Sequence, residues 1–259
     1  MAEANGERIP TVIVDDAHIV YRVHGSPTAG SSSPLASFKR IVTRTKSAAV
    51  REVHAIKGVT FVAYKGESIG LVGSNGSGKS TLLRAVAGLM PAERGSVFAA
   101  GQPSLLGVNA VLMNDLPGER NVQLGLLAMG MSPAEAKSRT EEIIEFSGIN
   151  ERGDFSSLPM RTYSSGMSAR LRFAISAAKK HDVLLIDEAL ATGDAKFRRR
   201  SEQRIRDLRA EAGTIFLVSH SESTIRDTCE RSIWLESGLI RADGPTEDVL
   251  KEYEAYMRK

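Results

Sequence analysis

"GSNGSGKST" (Gly73–Thr81) stands between an apolar segment, "ESIGLV", and a segment with helical character, "LLRAVAGL". The stretch fits the pattern G-x-x-x-x-G-K-[ST], in which glycines let the backbone curl so that several N–H groups face one anion. The helix that follows adds its own free N–H groups and the positive end of its dipole. The stretch therefore predicts a strand, a phosphate-binding loop and a helix, which together are a unit of an α/β fold.

Two side chains at the end of this loop have chemistry suited to a nucleotide. The Lys79 ammonium can reach the β- and γ-phosphates, so we count it among the catalytic residues, and the Ser80 hydroxyl can ligate Mg²⁺. A kinase, a GTPase, a motor and a transporter all remain open at this point. The loop residues expected to contact the nucleotide are Gly73, Ser74, Asn75, Gly76, Ser77, Gly78, Lys79, Ser80 and Thr81.

Two apolar segments further along the chain end in polar side chains. "DVLLIDE" reads as a strand buried on both faces that delivers Asp187, which can hold Mg²⁺ through water, and Glu188, which can deprotonate an attacking water. The alternative is that these two acids only cap a helix. "TIFLVSH" ends in His220, which could contact the γ-phosphate, although a lone histidine is more often structural. Adjacent acids after a buried strand favour hydrolysis over transfer to a bound acceptor.

The remaining segments outline the architecture. Strands that alternate with helices predict an α/β protein with a parallel sheet, and a helical stretch at about 116–178 predicts a second lobe. "TVIVDDAHIVYRV" (Thr11–Val23) is interpreted as two short strands around a turn, and "RSIWLESGLIRADG" as a hairpin with Ser237–Gly238 at its turn.

Composition narrows the class of protein. The 34 basic residues nearly balance the 31 acidic ones, giving a net charge of +3, so no nucleic-acid partner is expected. Cys229 is the single cysteine, which excludes an intramolecular disulfide and favours a reducing, cytoplasmic setting. No apolar run reaches the ~18 residues that a membrane-spanning helix requires.

A second anion site is suggested by "TYSSGMSARLRFAIS", in which Ser164, Ser165 and Gly166 begin a helix with free N–H groups. With this segment the chain resembles the ATP-binding subunits of ABC transporters, because five motifs occur in the family's order. They are "GSNGSGKS", the signature "YSSGM", "LLIDE", the D-loop "ALATGD" (Ala189–Asp194) and the switch histidine in "VSH".

The resemblance implies an ABC-type P-loop NTPase with a parallel core sheet, an antiparallel β subdomain and a helical subdomain, in a single domain spanning residues 1–259. It also implies an ATP hydrolase that binds ATP and Mg²⁺ and works as a head-to-tail homodimer. In such a dimer Ser164 and Gly166 serve the partner subunit's γ-phosphate. The chain would lie peripherally on the cytoplasmic face of the cell membrane, bound to two copies of a separate polytopic permease.

Unusual residues within the motifs suggest which branch of the family the chain resembles. "YSSGM", "DEALATGD" and "SLLGVNAVLMNDLPGERNVQLGLLAMGMS" look like the branch that exports O-antigen, teichoic acid, galactan and related glycans. The lipid-linked polysaccharide would be handled by the permease, and we expect no C-terminal glycan-binding domain. The alternatives are an ABC ATPase for drug or lipid export and, less favoured, a soluble ABC protein without a transport role.

Three positions remain open on sequence alone. Either Tyr21, which we favour, or His54 could stack on adenine. The family's Q-loop glutamine is missing, and Val108 or Asn109 lies near its place. The basic segment Lys39–Arg51 reads either as a solvated loop or as a contact with anionic lipid.

Overall fold

The structure is a computed structural model and describes residues 8–24, 50–106, 112–187, 195–211, 213–219 and 221–258. In chain order the elements are β1 (Pro10–His24), β2 (Val50–Tyr64), β3 (Ser68–Val72), α1 (Lys79–Val86), β4 (Arg94–Ala99), β5 (Ser104–Leu105), α2 (Gly118–Ala128), α3 (Pro133–Ser147), α4 (Ser165–Ser176), β6 (Val183–Asp187), α5 (Ala195–Glu211), β7 (Thr214–Val218), α6 (Glu222–Thr228), β8 (Arg231–Glu236), β9 (Leu239–Pro245) and α7 (Thr246–Met257).

The core is a sheet with the strand order β5-β6-β7-β3-β8-β9. The first five strands of that order run parallel, and β9 pairs antiparallel with β8 through the predicted turn at Ser237–Gly238. All five residues of β7 are buried, as are the first four of β6, which explains their continuous apolar sequences. The predicted α/β fold with a parallel core sheet is confirmed.

A second, antiparallel sheet has the order β2-β1-β4 and corrects one prediction. Thr11–Val23 does not form two short strands around a turn, because β1 is one strand that pairs with β2 along its length. The "DD" pair forms a bulge instead of a turn: the register shifts between Val14 and Ala17, and Asp16 has a φ of 42°. The Thr60 hydroxyl accepts a hydrogen bond from the Asp16 N–H at 2.9 Å, which satisfies the backbone donor at the bulge.

The two sheets share one hydrophobic core with helix α1. Phe61 of β2 and Phe216 of β7 meet with ring centroids 5.9 Å apart, and Leu82 and Leu83 of α1 are buried in the same cluster. The phosphate-binding segment therefore begins on a central strand and ends in a helix that is packed on both sheets.

The predicted helical lobe is present as α2, α3 and α4, which enclose their own apolar cluster around Leu126, Leu171 and Ile175. Helix α3 begins with a capping box, in which the Ser132 hydroxyl accepts from the Glu135 N–H and the Glu135 side chain accepts from the Ser132 N–H. Across the described ranges, no helix combines the length and apolar character needed to cross a membrane.

The contact between the two sheets gives the first testable prediction. Phe216 is 0% exposed, so Phe216→Ala should lower the free energy of unfolding by about 3–5 kcal/mol through lost burial and a residual cavity. Phe98, on β4, is 62% exposed. Phe98→Ala should therefore change the free energy of unfolding by less than about 0.5 kcal/mol. Urea titration followed by circular dichroism measures both values, and equal losses would contradict this account of the core.

Candidate nucleotide-binding site

The phosphate loop connects Val72, the last residue of β3, to Lys79, the first residue of α1. Two of its glycines are required by geometry. Gly73 has a φ of 143°, and a Cβ there would overlap the carbonyl oxygen of Leu235. Gly78 has a φ of 113°, and a Cβ there would lie 2.7 Å from the Ala55 oxygen. Both positions therefore combine a left-handed backbone with close approach of another segment.

Lys79 is held against the backbone of its own loop. Its Nζ donates to the carbonyl oxygens of Gly73 at 2.7 Å and Ser74 at 2.8 Å. Burial lowers the pKa of the Lys79 ammonium below its usual value, and the carboxylates of Glu236 and Asp187 oppose that shift. The ammonium is thus partly desolvated and lies among groups that a triphosphate can replace as partners.

The two residues expected to bind Mg²⁺ are brought together by the fold. The Ser80 hydroxyl donates to Asp187 Oδ2 at 2.8 Å, although the two residues are 107 positions apart in sequence. A hydroxyl and a carboxylate are oxygen donors of the kind that Mg²⁺ takes, alongside water and phosphate oxygens. Among the residues that the structure describes, no group of three or more His, Cys, Asp or Glu could hold a metal by itself.

A cleft of about 590 Å³ opens over the loop. It is bordered by Asn75–Thr81 and Asp187, and both candidates for the adenine contact, Tyr21 and His54, line it. The Tyr21 hydroxyl lies 3.2 Å from the Thr81 hydroxyl, whereas His54 is exposed. Tyr21 is therefore hydrogen-bonded to the phosphate loop. The side chains of Tyr21 and His54 both line the cleft, so either ring could contact adenine.

The signature residues lie elsewhere. Ser164 is the N-cap of α4, where its hydroxyl accepts from the Met167 N–H at 3.2 Å, and Ser165 and Gly166 follow in the first turn. Ser164 and Ser165 are exposed, and none of the three lines the cleft over the phosphate loop. The signature therefore offers its polar groups to solvent, away from the nucleotide cleft of its own chain.

The opposite end of this helix is held by two basic side chains that donate hydrogen bonds. His181 Nε2 donates to the Ser176 oxygen at 2.8 Å, and the Arg204 guanidinium of α5 donates to the Ala177 oxygen at 2.9 and 2.8 Å. Hydrogen-bond donors at a helix C-terminus satisfy its free carbonyls, and the charged guanidinium of Arg204 also interacts favourably with the negative end of the helix dipole. Helix α4 is thereby held at its C-terminal end against α5.

Several predicted positions lie outside the described residues. They are Glu188, His220, the D-loop Ala189–Asp194, the Q-loop candidates Val108 and Asn109, and most of the basic segment, residues 39–49.

One residue that sequence analysis missed touches the phosphate loop. Glu236 is 7% exposed, and its carboxylate accepts a hydrogen bond from the Ser74 hydroxyl at 2.6 Å. The available signal was a carboxylate at the end of the apolar strand "RSIWLE". Only the pairing of β8 with β3 reveals that this acid lies behind the loop.

Taken together, the glycine loop, Lys79 and the Ser80–Asp187 pair define a P-loop nucleotide-binding protein. A protein-family model described as ABC transporter matches residues 56–191. The chain belongs to the ABC transporter family, and its fold is that of an ABC-type P-loop ATPase.

Relatives with curated names point to one branch. The chain is 40% identical to the teichoic acids export ATP-binding protein TagH of Enterococcus faecalis over 205 residues, which are 79% of this chain and 45% of that protein. It is 39% identical to the protein of the same name from Staphylococcus saprophyticus, over 79% of this chain and 76% of that one. The chain thus spans less than half of the Enterococcus relative.

Solved structures share the fold at lower identity. One is the dimeric ATP-binding cassette MJ0796 in a post-hydrolysis state bound to ADP and Pi, with a TM-score of 0.66, 21% identity, and coverage of 91% of this chain and 98% of that one. Another is an ATP-binding subunit of an ABC transporter, with a TM-score of 0.65, 23% identity, and coverage of 94% and 93%.

The buried ammonium predicts a pH dependence of ATP binding. Because the pKa of Lys79 is lowered, the free protein should lose this positive charge at a lower pH than an ordinary lysine would. ATP affinity should therefore begin to fall at a pH below the usual lysine pKa as the pH is raised. Lys79→Arg, which stays charged, should bind more weakly at neutral pH but show a flatter pH profile. Calorimetric titration at each pH measures both, and parallel profiles would contradict this role for Lys79.

Proposed function

We propose that this chain is the ATP-hydrolysing subunit that powers export of a lipid-linked cell-envelope polysaccharide through a separate membrane permease. The observation that carries the proposal is the Ser80–Asp187 hydrogen bond beside a loop-bound Lys79, since it joins the phosphate-binding and metal-binding motifs in one cleft. The identity to teichoic acid export proteins supports the branch.

ATP binds with its phosphates in the loop and its adenine against Tyr21 or His54. The loop N–H groups other than that of Ser74, together with the Lys79 ammonium, bind the phosphate oxygens, and the ring at the wall of the cleft orients the base. Ser80 and Asp187 hold Mg²⁺, which when bound shields the negative charge of the phosphates. These residues place the γ-phosphate at the carboxyl edge of the sheet, where β6 and β7 both end.

Hydrolysis is assigned to the residues that follow those strands. Glu188, directly after Asp187, takes a proton from water as the water oxygen attacks the γ-phosphorus and the bond to the ADP oxygen breaks. His220, two residues after the last residue of β7, contacts the γ-phosphate and orients it. General-base catalysis of this kind contributes about 10²–10⁴-fold to the rate.

The active unit is a head-to-tail homodimer. Ser164, Ser165 and Gly166 are offered to solvent outside the cleft, which suits binding to the γ-phosphate held by the partner subunit. Each ATP is then enclosed between one phosphate loop and one signature. Closure of the dimer around two ATP molecules supplies the mechanical step of transport, and hydrolysis of ATP lets the dimer open again.

A cross-link tests this arrangement. Asn75 in the loop and Ser165 in the signature are both exposed, whereas Ser77 is only 1% exposed and therefore unsuitable. With Cys229, the chain's single cysteine, replaced by alanine, Asn75→Cys and Ser165→Cys subunits should be joined by a short bismaleimide only when ATP and Mg²⁺ are present. Gel electrophoresis measures the cross-linked dimer. When the reagent is added at successive times after ATP, the yield of cross-linked dimer should stay high in Glu188→Gln and fall in the parent as ATP is consumed.

The matched control pairs Asn75→Cys with Ser157→Cys, an exposed residue of the same helical lobe outside the signature. Equal cross-linking of both pairs would reject the head-to-tail arrangement. So would the absence of cross-linking of the signature pair in a sample that light scattering shows to be dimeric with ATP.

The export role assigns the chain a place and partners. It lies peripherally on the cytoplasmic face of the cell membrane, and two copies of a polytopic permease carry the lipid-linked polysaccharide. An ABC ATPase for drug or lipid export is the alternative, because its ATP-binding motifs would be the same.

Depletion of the chain in its own cell distinguishes these roles. The lipid-linked glycan should then accumulate on the inner leaflet, where a membrane-impermeant periodate reagent added to intact cells does not oxidise it. Lys79→Ala should fail to restore surface glycan, and Glu252→Gln, an exposed substitution on α7, should restore it. A normal amount of surface glycan in depleted cells would contradict the proposed substrate class. It would not contradict the ATPase assignment, which the cross-linking experiment tests separately.

A further inference from the structure

The phosphate loop packs against the end of β8 and the turn that follows it, a segment that spans residues 235–238. The Gly238 N–H donates to the Ser77 oxygen at 2.9 Å, and the Leu235 carbonyl oxygen lies against Gly73. These contacts place the side of the loop that faces away from the cleft against a turn more than 150 residues further along the chain.

Glu236 makes the one charged contact between this turn and the loop in the described part of the chain. Its Oε1 accepts from the Ser74 hydroxyl at 2.6 Å, and its Oε2 accepts a longer hydrogen bond from the Ser74 N–H at 3.4 Å. A buried carboxylate disfavours anion binding nearby unless its charge is satisfied. Its presence behind a loop that binds a triphosphate therefore requires a physical explanation.

Ser74 connects this carboxylate to the lysine of the loop. Its side chain donates to Glu236, while its carbonyl oxygen accepts from Lys79 Nζ at 2.8 Å. Burial raises the pKa of the Glu236 carboxyl, but the hydrogen bonds from Ser74, the Trp234 indole and the charge of Lys79 together outweigh burial, so the pKa lies below its usual value. Glu236 is therefore ionised at neutral pH, which the two donors of Ser74 require.

We propose that Glu236 is a positioning residue for ATP, which turns Ser74 away from the cleft and thereby fixes the curvature of the phosphate loop and the location of Lys79. The inference rests on the proposed function, because it concerns the same nucleotide site. Ser74 directs both its N–H and its hydroxyl away from the cleft, and this orientation is held by an acceptor with two oxygens. A glutamine offers only one acceptor oxygen, and an alanine offers none.

This geometry predicts a graded series. Glu236→Ala should raise the Kd for ATP about tenfold, the effect expected for loss of hydrogen bonds to a charged group. Glu236→Gln should show a smaller increase, because one hydrogen bond remains. Ser74→Ala should resemble Glu236→Gln, and Ser74→Ala combined with Glu236→Ala should be no worse than Glu236→Ala alone, since both changes remove the same contact.

The kinetic readout separates positioning from a merely structural role. The loop holds the phosphates in the ground state and in the transition state alike, so KM should rise while kcat stays within about threefold. Trp234, the chain's only tryptophan, lies two residues before Glu236, so its fluorescence should change on ATP addition in the parent protein and less in Glu236→Ala.

The experiment measures Kd for ATP with Mg²⁺, kcat, KM and the melting temperature without nucleotide for all four variants. The control is Glu252→Gln, the same chemical change at an exposed position of α7, which should leave every value unchanged. If Glu236→Ala does not fold, the Kd values of Glu236→Gln and Ser74→Ala test the positioning role of Glu236 instead. Variants that melt earlier but bind ATP like the parent overturn the proposal, as do additive losses in the double variant. Failure of the parent protein to bind ATP contradicts the proposed function instead.

Discussion

The parallel pairing of β6, β7 and β3 is the constraint on which the nucleotide site depends. Leu71 near the end of β3 and Asp187 at the end of β6 both pair with Val218 of β7, so the ends of three strands that are distant in sequence come level at one edge. The hydrogen bond from Ser80 to Asp187 is possible only because of that register. A shift of one residue in β6 would turn the Asp187 side chain to the opposite face of the sheet and separate the two oxygen donors.

The features of the fold and the site that could be predicted from the sequence are those that depend on residues close together in the chain. The phosphate loop, its strand and its helix follow from one short glycine pattern, and the buried strands follow from continuous apolar runs, so both were predicted correctly. The sequence of Thr11–Val23 predicts a turn between two short strands, whereas the structure has a bulge at Asp15–Asp16. Two aspartates between β-branched residues are compatible with either structure until a long partner strand pairs with them. Glu236 was missed because its partner, Ser74, is 162 positions away, and no local pattern carries that contact.

The site has two parts that are built differently. The phosphate loop is enclosed by backbone from several segments, with Ala55, Leu235 and Gly238 all in contact with it. The signature is the exposed N-terminal end of a helix whose opposite end is held by His181 and Arg204. The C-terminal end of this helix is thus satisfied by side chains of its own chain, whereas its N-terminal end, capped by Ser164, faces solvent.

The contacts between the phosphate loop and the β8–β9 turn also have a consequence for biosynthesis. A ribosome makes the loop at residues 73–81 long before it makes the turn at residues 235–238. Until those later residues leave the exit tunnel, Gly73 has no Leu235 carbonyl to pack against and Ser74 has no carboxylate to bind. The growing chain therefore carries an incomplete phosphate loop until residues 235–238 have left the tunnel, and only then does the loop gain its full set of contacts.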